Sequence, residues 1–151
     1  MKIKLLLLLS IFTILNHFSF SQEIEFQELD GTWVIEKVYN ISKEQYYDSE
    51  AINKISGKKE GTLIKLTFGC YAGDDFCYYY MTEGTELLKF SIQEGKSFLE
   101  NKKLILKWES EELHSDKTIK HEASFNIVEL TSDKLILKEN NDENIVYYIK
   151  E

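Results

Sequence analysis

Residues 119–127 read Ile-Lys-His-Glu-Ala-Ser-Phe-Asn-Ile, and this stretch decides the fold class. Apolar side chains recur at every second position, with His121 in the same register, while charged and polar residues take the positions between them. Alternation with a period of two is the pattern of a β-strand with one buried face. The stretch therefore predicts a half-buried strand rather than a helix.

The same kind of run recurs on both sides of this strand. Seven further strands are predicted, at Thr32–Tyr39, Ile64–Cys70, Phe76–Thr82, Leu88–Ile92, Leu104–Trp108, Leu135–Leu137 and Ile145–Ile149. Along the last run we expect Ile145, Tyr147 and Ile149 to share the inner face. The predicted connections are short, at 84–85, 94–95, 115–116, 132–133 and 140–143. Short connections favour antiparallel neighbours.

Residues 40–61 interrupt this series with isolated apolar residues among charges, and we expect a long connection with one helical turn there. No internal repeat or linker divides the chain, so residues 22–151 form one domain. The predicted fold is all-β, an eight-stranded antiparallel up-and-down barrel, because closure of a sheet removes its exposed edges. A β-sandwich is the alternative.

Composition excludes several classes of partner. The 151 residues contain 18 basic side chains, all of them lysine, and 26 acidic ones, which gives a formal charge of −8. Binding to nucleic acid depends mainly on basic contacts to phosphate. We therefore expect no nucleic-acid partner, no binding to an anionic membrane surface and a monomer in solution.

The first 21 residues resemble an export signal. A basic start with Lys2 and Lys4 precedes the apolar run 5–15, and Ser19 and Ser21 match the small residues that precede a signal-peptidase cleavage site. We predict a signal peptide at 1–21, a mature chain that begins at Gln22, and a periplasmic or extracellular protein without membrane insertion after cleavage. An uncleaved anchor helix is the alternative, although the run is short for a membrane span.

Cys70 and Cys77 are the two cysteines of the chain. In an oxidising compartment two such thiols usually form a disulfide. A chain reversal around Gly73 places the two cysteines opposite each other, and glycine supplies the positive φ that such a turn needs. A redox-active pair is the alternative reading, but the spacing differs from Cys-x-x-Cys.

Three segments resemble the lipocalin-like domain family of small exported bacterial proteins. They are Leu29-Asp30-Gly31-Thr32-Trp33, the strand 66–68, and residues 125–137. The resemblance implies that Gly31 and Trp33 are structural and that Trp33 closes one end of the barrel beneath a basic side chain from the last strand. Because the chain has no arginine, that side chain must be a lysine such as Lys150. The resemblance also implies carriage of a small apolar molecule, with no cofactor.

Two groups of residues are candidates for binding. For a small hydrophobic ligand inside the barrel, the predicted lining is aromatic, with His121 as a polar fixing point: Phe68, Phe90, Trp108, His121 and Phe125. The same residues can instead form an ordinary filled core. For a protein partner, the candidates are Tyr78, Tyr79 and Tyr80, since alternation forces at least one part of this aromatic run to face outward. The acidic charge then favours a basic protein partner.

The sequence offers little for catalysis or metal binding, and we expect no enzyme. His114, Ser115 and Asp116 are consecutive and so cannot align as a catalytic triad. His114 and His121 are too far apart to share a metal ion on one strand. Asp74 and Asp75 are too few ligands for calcium.

Overall fold

A computed structural model describes residues 24–85, 89–112, 117–140 and 143–151. Helix α1 (Phe26–Leu29) precedes strand β1 (Gly31–Asn40), and strand β2 (Gln45–Asp48) is followed by helix α2 (Ser49–Ile55). The remaining strands follow one another along the chain: β3 (Leu63–Cys70), β4 (Cys77–Gly84), β5 (Lys89–Glu100), β6 (Lys103–Glu111), β7 (Thr118–Leu130), β8 (Lys134–Glu139) and β9 (Asn144–Lys150).

The strands form a closed, eight-stranded antiparallel barrel, as predicted. Each strand from β3 to β8 pairs with the strand that follows it in the chain. Strand β1 closes the barrel, because it pairs with β3 on one side and with β9 on the other. Strand β2 is an addition that pairs with residues 37–40 of β1, beyond the segment that pairs with β3. The signal peptide and the mature start at Gln22 lie outside the described residues. Within the described ranges, no helix has the length and apolar character needed to cross a membrane.

The long connection at 40–61 contains more structure than the sequence predicted. It holds strand β2 as well as helix α2, which begins where the Asp48 carboxylate accepts a hydrogen bond from the Ala51 amide at 2.8 Å. The side-chain amide of the buried Asn53 donates to the Thr62 carbonyl at 2.8 Å. This bond fixes the helix to the chain that enters β3.

The alternating pattern identified the inner face correctly on most strands. The interior holds buried side chains from both halves of the chain, including Trp33, Leu66, Phe68, Tyr79, Leu104, Leu106, Ile127, Leu135 and Leu137. On β9 the predicted face was wrong, because Tyr148 is the buried tyrosine and Ile149 is exposed. Both faces of this strand are apolar, so hydrophobicity alone could not choose between them.

Strand β5 departs from the prediction in two ways. Gly95 does not end a strand, because β5 continues without a break from Lys89 to Glu100. A β-bulge at Ile92 also shifts the register, since Met81 is opposite Gln93 while Thr82 is opposite Ser91. The bulge changes which side chains face inward, and Phe90 is 63% exposed instead of belonging to the enclosed core.

Trp33 closes one end of the barrel, which we call the Trp33 end. The indole is fully buried, and its Nε1 donates to the carbonyl of Leu29 in helix α1 at 2.7 Å. Lys150 of β9 is opposite Trp33 in the sheet, and its Nζ lies 5.1 Å from the centre of the ring. The structural roles expected for Gly31 and Trp33, with Lys150 as the covering cation, agree with this geometry.

The predicted Cys70–Cys77 disulfide is present and joins β3 to β4 at the Trp33 end. The two Cα atoms are 4.4 Å apart, which matches the closer kind of antiparallel pair. Gly73 in the intervening loop has φ +95. The amide of Cys70 also donates to the Asp30 carboxylate at 2.9 Å, which links the hairpin to the start of β1.

Candidate functional site

An open groove of about 940 Å³ lies where strands β5 and β6 separate, and we call it the seam groove. Strands β4, β5, β6 and β7 all contribute to its lining: Tyr78, Tyr80, Glu94, Gly95, Lys96, Phe98, Lys107, Trp108, Glu109, Lys120, His121 and Glu122. Aromatic and charged side chains thus share one site. The groove opens to solvent at the side of the barrel.

The groove exists because the pairing of β5 with β6 stops partway along both strands. The pairs run from Glu100 and Lys103 to Lys96 and Lys107 and do not continue. At the end of the paired segment, a Cβ atom on Gly95 would lie 2.0 Å from the carbonyl oxygen of Lys107. Only glycine fits such a close approach of two backbones. Gly95 therefore lets β5 lie against β6 at the point where their pairing ends.

One wall of the seam groove is formed by Trp108 and His121, which are opposite each other on β6 and β7. Their rings are stacked, with centroids 5.2 Å apart and planes 14° from parallel. The Ser110 hydroxyl and His121 Nε2 are 2.8 Å apart and form a hydrogen bond. Stacking and this bond fix the orientation of both rings before any ligand arrives.

The other wall is formed by alternate tyrosines of β4. Tyr78 and Tyr80 are 40% and 45% exposed, respectively. The Phe76 ring packs edge-on against the Tyr78 ring, with the ring centres 5.2 Å apart. The centre of the Phe98 ring lies 6.1 Å from that of Phe76. Tyr78, which is supported in this way, presents a large and rigid contact surface, and Tyr80 extends that surface along β4.

The prediction that Tyr79 belongs to this surface is wrong. Tyr79 alternates with Tyr78 and Tyr80 and is fully buried, with its ring against the backbone of Gly95. Its hydroxyl accepts a hydrogen bond from Gln93 Nε2 at 2.6 Å. Burial raises the pKa of the Tyr79 hydroxyl, while the bond to Gln93 acts in the opposite direction.

Charges of both signs line the groove, and most are already engaged. Lys107 pairs with Glu122 at 3.3 Å, and the Lys120 ammonium lies 3.9 Å from the Glu109 carboxylate. The Lys96 ammonium lies over the Phe76 ring at 4.2 Å. Within the described part of the chain, Glu94 makes no ion pair. Its exposed carboxylate is available to a cation on a ligand.

The structure brings together residues that the sequence had assigned to two different functions. Trp108 and His121, predicted to line an internal cavity, and Tyr78 and Tyr80, predicted to form an outer surface, all border the seam groove. Phe68 is buried in the core, and Phe125 packs against that core. Phe90 is an exposed residue outside the groove lining.

Sequence reasoning missed the charged residues of the groove. The signal that could have located them is Gly95, a glycine within a run of strand residues, which marks a bend or a close backbone approach. The predicted histidine–serine–aspartate turn at 114–116 lies outside the described residues. In the described segments, no cluster of three or more histidine, cysteine or acidic side chains could hold a metal ion.

Comparisons of the chain with models of protein families, with curated proteins and with solved structures give no match. The functional argument therefore depends on the geometry of the seam groove and on the chemistry of its lining. That lining combines stacked rings, exposed tyrosines and an available carboxylate.

Proposed function

We propose that this is an exported, non-catalytic, lipocalin-like binding protein that holds a segment of a basic partner protein in the seam groove. The observation that carries the proposal is the pairing of two preformed aromatic walls across one open groove, Tyr78 with Tyr80 and Trp108 with His121. Tyrosine and tryptophan are enriched at the energetic centres of protein interfaces. Export is supported by the Cys70–Cys77 disulfide, which suits an oxidising compartment.

A protein segment fits the groove better than the small hydrophobic molecule that a lipocalin-like fold implies. Sites for small apolar ligands are enclosed and lined mainly by apolar side chains. The seam groove is open, and half of its lining residues are acidic or basic. Inside the barrel, large side chains such as Trp33, Phe68 and Tyr79 are packed against one another in the core.

The charge of the protein favours a basic partner. The chain carries a formal charge of −8, and Glu94 offers an available carboxylate in the groove. Complementary charge speeds the encounter of two proteins and weakens as salt screens it. We therefore expect the association rate to fall as ionic strength rises.

Photocrosslinking tests the proposed function directly. A photoreactive phenylalanine analogue at Tyr80 should crosslink a partner protein in the exported fraction, and the same analogue at Tyr71 serves as the control. Tyr71 is also an exposed tyrosine, but it lies in the cysteine loop at the Trp33 end. Crosslinking at Tyr80 should be lost in the Trp108→Ala variant, whose folding is checked by thermal unfolding.

Two results would contradict the proposal. Equal crosslinking from positions 71 and 80 would show that the seam groove is not the contact surface. A small molecule that remains bound in native mass spectrometry, and is released only on denaturation, would favour the carrier function instead.

A further inference from the structure

Two strand edges continue without a second backbone partner from the point where the β5–β6 pairing ends, and their first residues line the seam groove: Glu94, Gly95, Trp108 and Glu109. In β5, residues 89–95, which precede the last paired residue Lys96, pair with β4 on one side only. Beyond Lys107, residues 108–111 of β6 pair with β7 on one side only. Among the described residues, neither segment pairs with another strand on its second side. The barrel therefore has two open edges beside the same groove.

An open strand edge is a hydrogen-bonding surface. Its outward N–H and C=O groups bind water in the free protein, and they can pair with any extended chain that lies alongside. Most barrels remove such edges by closing completely. Here the pairing of β5 with β6 ends at Lys96 and Lys107, next to the close approach of Gly95 to the Lys107 carbonyl, and the remaining edges stay unpaired.

We propose that the partner segment binds by strand addition, in extended conformation along these edges between β5 and β6. This inference rests on the proposed function and specifies its mechanism. Hydrogen bonds to the open backbone edges supply affinity that does not depend on sequence. Side chains of the added strand supply specificity, because alternate residues meet the two faces of the sheet.

The lining predicts the composition of the added strand. Trp108 continues the inner-face register of Leu104 and Leu106, whereas Glu109 belongs to the opposite, outer face of β6. Glu94 is opposite the exposed Tyr80 and so shares the outer face of β5 and β4. Basic side chains of the added strand should therefore meet Glu94, and they should compete with Lys120 for Glu109. The residues between them should be apolar or aromatic and meet Trp108 and His121.

A partner of this composition is favoured over a second copy of the same chain. Each copy carries a formal charge of −8, so two copies repel each other at low ionic strength. Sedimentation at 50 mM and 500 mM salt tests this point. A dimer that disappears in a Trp108→Ala variant would overturn the choice of occupant.

The mechanism is tested with peptides selected from a display library of random twelve-residue sequences. The library is selected on the wild-type protein and counter-selected on the double variant Tyr80→Ala/Trp108→Ala. The best peptide is then synthesised in three forms: unmodified, and with N-methyl groups at every second backbone nitrogen in each of the two possible registers. Both registers of methylation are made, since N-methylation removes the donor while leaving the side chains in place.

Strand addition predicts that N-methylation weakens binding at least tenfold, in one register if the added strand pairs with one edge and in both registers if it pairs with both edges, because alternate N–H groups of a strand point to opposite sides. It also predicts that amides of residues 90–95 or 108–111 become protected from hydrogen exchange when the unmodified peptide binds. If neither register weakens binding, the peptide binds through its side chains alone. That outcome overturns strand addition and leaves the proposed function intact.

A selection that yields no peptide dependent on Tyr80 and Trp108 overturns both the mechanism and the proposed function. Basic residues alternating with apolar ones in the selected sequences would support the predicted composition. Acidic residues at those positions would contradict it, because they would lie beside Glu94 and Glu109.

Discussion

The ammonium nitrogen of Lys150 lies 5.1 Å from the centre of the Trp33 ring, and Gly31 is the residue that makes room for it. A Cβ atom on Gly31 would lie 2.8 Å from Cε of Lys150, and the φ of Gly31 is +116. A side chain at this position would therefore push the end of Lys150 aside, and it would also strain the backbone. One glycine, one tryptophan and one lysine close the barrel together.

The Gly31→Ala variant tests this arrangement. The new methyl group displaces Lys150, and the backbone conformation at this position is one that side chains rarely adopt. We expect the free energy of unfolding to fall by about 1–3 kcal/mol, measured by urea denaturation. Gly69→Ala is the matched control, because a Cβ atom there has no neighbour within 4 Å. Equal effects of the two substitutions would contradict the role of Gly31.

The Gly95→Ala variant should be more severe. Here the added Cβ atom would lie 2.0 Å from a backbone carbonyl oxygen of Lys107, which cannot move as a flexible side chain can. We expect a loss of about 3 kcal/mol or more, since overpacking that shifts backbone costs the upper end of the usual range. Urea denaturation of Gly95→Ala and of the control Gly69→Ala compares their free energies of unfolding. A variant as stable as the wild type would contradict the close approach of Gly95 to Lys107.

Reduction of the Cys70–Cys77 disulfide should weaken the fold without abolishing it. The bridge closes a loop with a sequence separation of 7, so it constrains the unfolded chain only locally. We expect a decrease in stability of about 2 kcal/mol, measured in urea with and without reductant. The mass of alkylated protein confirms the redox state of each sample. Exported protein with two free thiols would contradict the disulfide.

Stability should fall at alkaline pH because of buried tyrosines. Burial raises the pKa of Tyr148 above its ordinary value of 10.0, so the unfolded chain releases this proton at lower pH than the folded chain. The contribution of Tyr148 to the free energy of unfolding is therefore fully present below pH 10 and is lost as the pH rises above this value. The Tyr148→Phe variant should lose less stability than the wild type between pH 9 and 11.

The exposed Tyr71 supplies the control for the pH experiment. Every other ionisable group of the chain is the same in the wild type and in both variants. The Tyr71→Phe variant should therefore follow the pH dependence of the wild type. Parallel curves for Tyr148→Phe and Tyr71→Phe would contradict the role assigned to burial of Tyr148.

The strands could be predicted where the two faces differ in polarity. Around Ala123, the neighbours Glu122 and Ser124 are polar, so the face of β7 was evident from the sequence. On β9, Val146 and Tyr148 alternate with residues that are equally apolar, and the sequence could not select the inner face. A β-bulge also hides the inner face from sequence analysis. The extra residue Ile92 shifts the register of β5, and nothing in the pattern of polar and apolar residues marks that shift.

The seam groove could be predicted only in part. Trp108, His121, Tyr78 and Tyr80 were candidates because aromatic residues stood out in their strands. Their meeting in one groove depends on the end of the β5–β6 pairing beside Gly95, a residue that the sequence suggested only as part of a connection between strands. The lysines and glutamates of the lining looked like any solvated strand face until the separation of β5 from β6 placed them together.

The two ends of the barrel differ in how firmly they are fixed. At the Trp33 end, the disulfide, the Trp33–Leu29 hydrogen bond and the bond from Cys70 to Asp30 join β1, β3, β4 and helix α1. Strands β5 and β6 are paired near that end and unpaired at the other. Local opening should therefore begin at the seam and stop near Lys96 and Lys107. The seam can then open while the Trp33 end of the barrel stays folded.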